Sequence, residues 1–195
     1  MLHSESCPTG KIEQLYEADD EGVSTRLSTP LSCVNCQPGF WKASFGYSPS
    51  ASCTGCRAGL YDSSSGSGSS IAVCKKCNAG QSQSETGQTL CLKCNPGSKG
   101  PTVGLEECMT CDEGQHQDEP GKSLCKDCTT GQAISTAGAV NCLNCTAGTY
   151  QSSEQATTCD ACGIGQHQDE SGKILCKDCT TGKAMGTTGA VNCLE

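Results

Sequence analysis

Two Phe, four Tyr and one Trp are all the aromatic side chains in 195 residues, too few for the core of an ordinary globular domain. Such a domain needs large apolar side chains to offset the entropy lost in ordering its backbone. Long apolar runs are missing as well, and a membrane-spanning helix requires about 18 such residues in a row, so direct insertion into a membrane is excluded. Basic residues are scarce: 13 Lys and Arg against 21 Asp and Glu leave a net charge of -8, with no cluster beyond Lys75-Lys76. Nucleic-acid phosphates and acidic lipid are therefore poor partners for this chain. Of the three histidines, two are copies of each other within Gly-Gln-His-Gln-Asp-Glu (114 to 119 and 165 to 170). No nucleophile-and-base set can be assembled from them, so neither enzymatic activity nor a cofactor is expected.

Cysteine is what the chain has in quantity, 20 residues in all. From residue 74 a cysteine recurs every 17 positions, at 74, 91, 108, 125, 142, 159, 176 and 193. All but the last are followed three positions on by another, and repetition of this kind signals an array of small units. Upstream the pairs continue as Cys53/Cys56 and Cys33/Cys36, at spacings of 21 and 20, after a lone Cys7. Glycine stands three positions after the second cysteine of every pair, from Gly39 to Gly182, and Gly10 stands likewise after Cys7. Cys7 is thus the second member of a pair whose first position is Ser4.

The density and even count of cysteines describe a disulfide scaffold from an oxidising compartment. In the chain-entropy account a bridge around a 15-residue loop stabilises by about 3 kcal/mol. That is a large share of what a unit lacks when its apolar residues are as small as Ala133, Ile134 and Val140. The phase of the repeat suggests that the second cysteine of each pair bonds the first of the next. The bridges are then Cys7 to Cys33, Cys36 to Cys53, Cys56 to Cys74, Cys77 to Cys91, Cys94 to Cys108, Cys111 to Cys125, Cys128 to Cys142, Cys145 to Cys159, Cys162 to Cys176 and Cys179 to Cys193. Bonds that skip a unit are the alternative the sequence leaves open. Bonds within Cys-x-x-Cys pairs would strand Cys7 and Cys193. Zinc is the rival use of these sulfurs, since Cys74-x2-Cys77-x13-Cys91-x2-Cys94 approaches a four-thiolate spacing. Nine full pairs plus two singles do not divide into adjacent four-cysteine sites, however, and no metal is expected.

A second glycine lies ten residues after the opening cysteine in most regular units (Gly87, Gly104, Gly121, Gly138, Gly172, Gly189), with Gln155 the exception. Glycine at a fixed offset implies positive φ or close approach of chains. The expected fold is a set of small disulfide-rich repeats, an elongated tandem array of short β-hairpin units with little regular secondary structure. Each hairpin has two strands of three or four residues and contacts only its neighbours. Layers about 10 Å apart make a rod on the order of 100 Å long. The chain divides into an irregular N-terminal cysteine-rich unit (1–35), two longer units (36–73) and the regular 17-residue repeats (74–195). Residues 108 to 141 recur at 159 to 192, an offset of 51 or three units. The polar opening Met1-Leu2-His3-Ser4-Glu5-Ser6 does not read as a signal peptide. With Cys193-Leu194-Glu195 stopping short of another pair, the sequence reads as a mature piece or a fragment.

Cys-x-x-Gly-x-Tyr, a Ser/Gly-rich turn and then Cys-x-x-Cys resembles the cysteine-rich repeats of the ephrin-receptor-like kind, and more loosely the smallest disulfide module of tumour necrosis factor receptors. Cys145 to Tyr150 carries the resemblance best, with Cys56 to Tyr61 and Cys36 to Trp41 close behind, and it extends over all ten units. The aromatic slot departs from the pattern at Ala133, Ala184, His116 and His167. The resemblance implies an extracellular or cell-surface location in the secretory pathway, where such repeats space other domains or bind protein ligands. A structural or spacer segment of an extracellular or surface-appendage protein is the first expectation, contacting other chains, either copies of itself or glycoproteins. A receptor ectodomain fragment that captures a protein ligand is the second.

Individual residues add candidates. His116 and His167 sit beside Asp118/Glu119 and Asp169/Glu170, a pattern that suggests a metal or pH-sensing site. The plainer account places each histidine in the aromatic slot, against a neighbouring bridge, with the carboxylates at a solvated turn. The acidic run at Asp19, Asp20 and Glu21 reads as a hydrated loop. Phe40, Trp41, Phe45 and Tyr47 hold four of the seven aromatics within eight residues, as an interface candidate or as a local core. Asn144-Cys145-Thr146 is a glycosylation sequon, with cysteine a poor middle residue.

Overall fold

The structure is a computed structural model that describes residues 11–13, 33–42, 53–64, 73–181, 183 and 186–194. Cys7, Asp19 to Glu21, Phe45, Tyr47 and Ala184 lie outside the described residues. Among the described residues nine two-stranded sheets follow one another in sequence, with almost no helix. Contacts group the described residues into two compact units that alternate in sequence. One takes in those up to Asn78 with Ser82–Leu92 and Val103–Glu107; the other takes in Ala79–Gln81, Lys93–Thr102 and those from Cys108 on.

One repeat shows how the local fold arises. Asn95-Pro96-Gly97-Ser98 closes on a hydrogen bond from Ser98 N–H to the Asn95 carbonyl (3.1 Å), with Gly97 at φ 80°. Proline second and a positive-φ glycine third is the requirement of a type II turn. The turn delivers the strand Ser98–Lys99, which pairs antiparallel with Met109–Thr110 inside the next Cys-x-x-Cys. The bridge Cys94–Cys108 ties the residue before the turn to the residue before the second strand, with Cα atoms 5.6 Å apart, well inside the range a disulfide spans. The same arrangement recurs with Gln115–His116 against Lys126–Asp127 and with Thr149–Tyr150 against Leu143's counterpart strand Asp160–Ala161.

Among the described residues the bridges are Cys36–Cys53, Cys56–Cys74, Cys77–Cys91, Cys94–Cys108, Cys111–Cys125, Cys128–Cys142, Cys145–Cys159, Cys162–Cys176 and Cys179–Cys193. The second cysteine of nearly every pair, from Cys36 to Cys162, is buried. Sulfur therefore occupies the place that Leu or Phe takes in an ordinary core.

Two features differ from the sequence expectation. Most strands are only two residues long. The physical reason is visible at Gln117, whose N–H leaves its own hairpin and donates to the Ala139 carbonyl in the next repeat (3.1 Å). Gln151 does the same to Lys173, and Gln168 to Ala190. Nor does each unit contact only its neighbours. A β-carbon on Gly97 would meet the carbonyl oxygen of Gly138, which lies two repeats on.

Candidate functional site

His116 is the second residue of its two-residue strand, paired with Lys126. This register aims its ring at the following repeat. Nδ1 lies 3.2 Å from Cys142 Sγ, and a ring nitrogen of His116 and the sulfurs of Cys128 and Cys142 all fall within 4.8 Å of one another. His167 repeats the arrangement, with Nδ1 3.1 Å from Cys193 Sγ and 4.0 Å from Cys179 Sγ. Both rings are half-buried against a bridge, the place that the aromatic-slot account gives them. Tyr150, Tyr61, Trp41 and Ala133 occupy the same strand position in other repeats.

The neighbouring carboxylates turn away to lysines. Lys126 Nζ donates to Asp118 Oδ1, and Lys122 Nζ pairs with Glu119 at 2.8 Å. Lys177 and Lys173 form the same web with Asp169 and Glu170. The lysine hydrogen bonds hold Asp118, Glu119, Asp169 and Glu170 below the usual carboxylate range and push Lys126 and Lys177 up. These groups are exposed, so solvent screens the pairs.

The other candidates are separate from this cluster. Phe40 lays its ring over the backbone of Gly87, where a β-carbon would come within 2.7 Å of it, and a β-carbon on Gly55 would meet the same ring at 3.3 Å. Trp41 beside it is half-buried, with its indole N–H buried and without a partner. Asn144 is exposed, and its Oδ1 accepts a hydrogen bond from Gln132 Nε2 at 2.9 Å. Cys145, next in the sequon, is buried in its bridge to Cys159.

Buried glutamine is what the sequence reading missed. Gln83, Gln117, Gln151 and Gln168 are buried, and each clamps its own loop in the same way. Gln117 Nε2 donates to the Leu124 carbonyl at 2.7 Å while its Oε1 accepts from Glu119 N–H at 3.0 Å. The available signal was glutamine at the sixth position after the opening cysteine, in four loops. Aliphatic side chains, by contrast, face out: Val140 is 43% exposed, Leu124 69%, Leu143 65% and Leu175 63%.

Residues 131–172 match the family model for the tyrosine-protein kinase ephrin type A/B receptor-like region. That segment is ephrin-receptor-like. Nothing among curated proteins matches the chain. The ephrin-receptor-like match, set among tandem disulfide-bonded repeats, marks an extracellular type of cysteine-rich module that makes protein contacts, and the family is not an enzyme class. No helix among the described residues is long and apolar enough to cross a membrane.

Proposed function

We propose that this chain is a spacer in an extracellular or surface-appendage protein, holding its flanking parts apart and presenting its sides to other copies or to glycoproteins. The observation that carries the reading is the repeated bonding of one unit to the next. Gly121 N–H donates to Cys94 O, Gly138 N–H to Cys111 O and Gly172 N–H to Cys145 O, each at 2.7–2.8 Å. Buried sulfur and backbone are spent on this regular ladder, and a repeat array of that kind has roughly additive, local stability. The regular spacing supports a role in which length is the property used. Protein contact then falls to the exposed faces, including Leu143 and the open sequon at Asn144.

The test duplicates or deletes one 51-residue triplet in the oxidised chain and measures end-to-end distance by energy transfer between terminal labels. A spacer changes length by a constant increment per triplet and keeps its attachments. The second reading, a receptor ectodomain, draws on the exposed Leu124 and Leu175 as anchors for a protein ligand. It requires that deletion of one triplet abolish capture of a soluble partner, whatever happens to the length.

A further inference from the structure

The two histidine-flanked bridges stand apart from the rest. At each, three donor atoms of zinc-ligand type lie within 4.8 Å of one another, and two of the three are joined by a covalent bond. We propose that each is a masked metal site. Reduction of Cys128–Cys142 or Cys179–Cys193 frees two sulfurs, which together with Nδ1 of His116 or His167 hold a borderline-soft divalent cation of the zinc class.

The geometry is nearly in place before reduction. Zinc takes thiolate at about 2.3 Å and imidazole at about 2.0–2.1 Å in a tetrahedron, which puts its nitrogen and sulfur ligands roughly 3.5 Å apart. Nδ1 already stands 3.2 Å from Cys142 Sγ and 3.1 Å from Cys193 Sγ. The two sulfurs must part to about 3.7 Å in the same tetrahedron, and at the second site Cys179 Sγ must also close on Nδ1 from 4.0 Å. Cα separations of 5.6 and 5.8 Å leave room for that by side-chain rotation. Asp118, Glu119, Asp169 and Glu170 are engaged by lysines and do not compete for the ion. Cys142 and Cys193 are half-buried, so a fourth position remains for water. Among the described residues no other bridge forms such a group.

The chemistry balances with a thiol as reductant. Two molecules of glutathione supply two electrons and two protons, the cystine becomes two thiols, and the glutathione leaves as its disulfide. The cation then displaces both thiol protons to water, and neutral imidazole donates its Nδ1 lone pair with its proton on Nε2. The metal replaces the covalent staple, so the hairpin is held in both states.

The full chain is equilibrated in a glutathione redox buffer with and without free Zn2+, and each bridge is read by differential alkylation and peptide mass. Zinc at about ten times its dissociation constant raises the reduced-to-oxidised ratio at Cys128/Cys142 and Cys179/Cys193 about tenfold. Cys111–Cys125, Cys145–Cys159 and Cys162–Cys176 do not shift. His116→Gln removes the effect at the first site and keeps it at the second, and His167→Gln does the reverse, so each site reports that the other variant is folded. Co2+ in place of zinc gives thiolate-to-cobalt charge-transfer absorption in the wild type. The proposal is overturned if zinc shifts no bridge, if it shifts all bridges alike, if freed Cys125 and Cys128 take the metal together, or if one histidine substitution leaves both sites unchanged or abolishes both.

Discussion

Gly97 and Gly138 touch through their backbones although 41 residues separate them: a β-carbon on the first would stand 2.2 Å from the carbonyl oxygen of the second. The glycine that makes a turn in one repeat is thus also the landing place for a loop two repeats on.

Gly97→Ala therefore carries two penalties, and Gly165→Ala only one. Both glycines have φ 80, but a β-carbon on Gly165 meets nothing within 4 Å. Positive φ costs alanine about 1–2 kcal/mol. The overlap at Gly138 adds roughly 1–3 kcal/mol, because backbone must move to relieve it. Denaturant unfolding of the two variants checks the difference, which disappears if the second-neighbour contact does not form.

Gln155 stands in the reverse situation, as a non-glycine residue at φ 59 where equivalent positions carry glycine. Gln155→Gly is expected to stabilise by about 0.5–1 kcal/mol, the relief of left-handed strain less glycine's extra chain entropy. A raised denaturation midpoint with an unchanged slope is the result to look for.

Gln117→Ala removes both halves of a buried clamp and leaves Glu119 N–H and the Leu124 carbonyl without their partner. Both bonds are part-buried, so the loss of each costs about 1 kcal/mol, the net worth of an ordinary hydrogen bond. Hydrogen exchange at Glu119 quickens in the variant, while exchange at Ser153, clamped by Gln151, stays as it was.

Acid acts on the lysine-bound carboxylates. Asp118, Glu119, Asp169 and Glu170 have folded values held below their ordinary ones, so their contribution is present above the ordinary carboxylate range and is lost as pH falls through the depressed values. Lys126→Met and Lys177→Met together should lower the melting temperature slightly at neutral pH and not at all once the carboxylates are protonated. The neutral-pH difference also shrinks in high salt. A constant difference across pH contradicts the assignment.

Much of the fold was legible because cysteine and glycine are constrained by covalent and steric rules that a sequence displays openly. The turns at Gly97 and Gly114 that lead into the first strand of each hairpin, and the positions of His116 and His167 against bridges, follow from the repeat phase. Strand length did not follow, since it depends on where Gln117 N–H finds its acceptor, and Ala139 is a backbone partner with no signature. The burial of Gln117 and the exposure of Leu143 were hidden for a related reason. Polarity normally predicts the opposite placement, and here cystine has already filled the interior. Of the four clustered aromatics, Phe40 packs on Gly87 and Trp41 is half-buried, while Phe45 and Tyr47 lie outside the described residues.

The cross-repeat glycine contacts also bear on how the chain responds to tension. Breaking Cys111–Cys125 frees a segment spanning 14 positions, about 50 Å of slack at full extension. Loops on either side stay anchored through their own cystines and through the loop after next, so a single cut yields a limited, countable lengthening and not a run of failures.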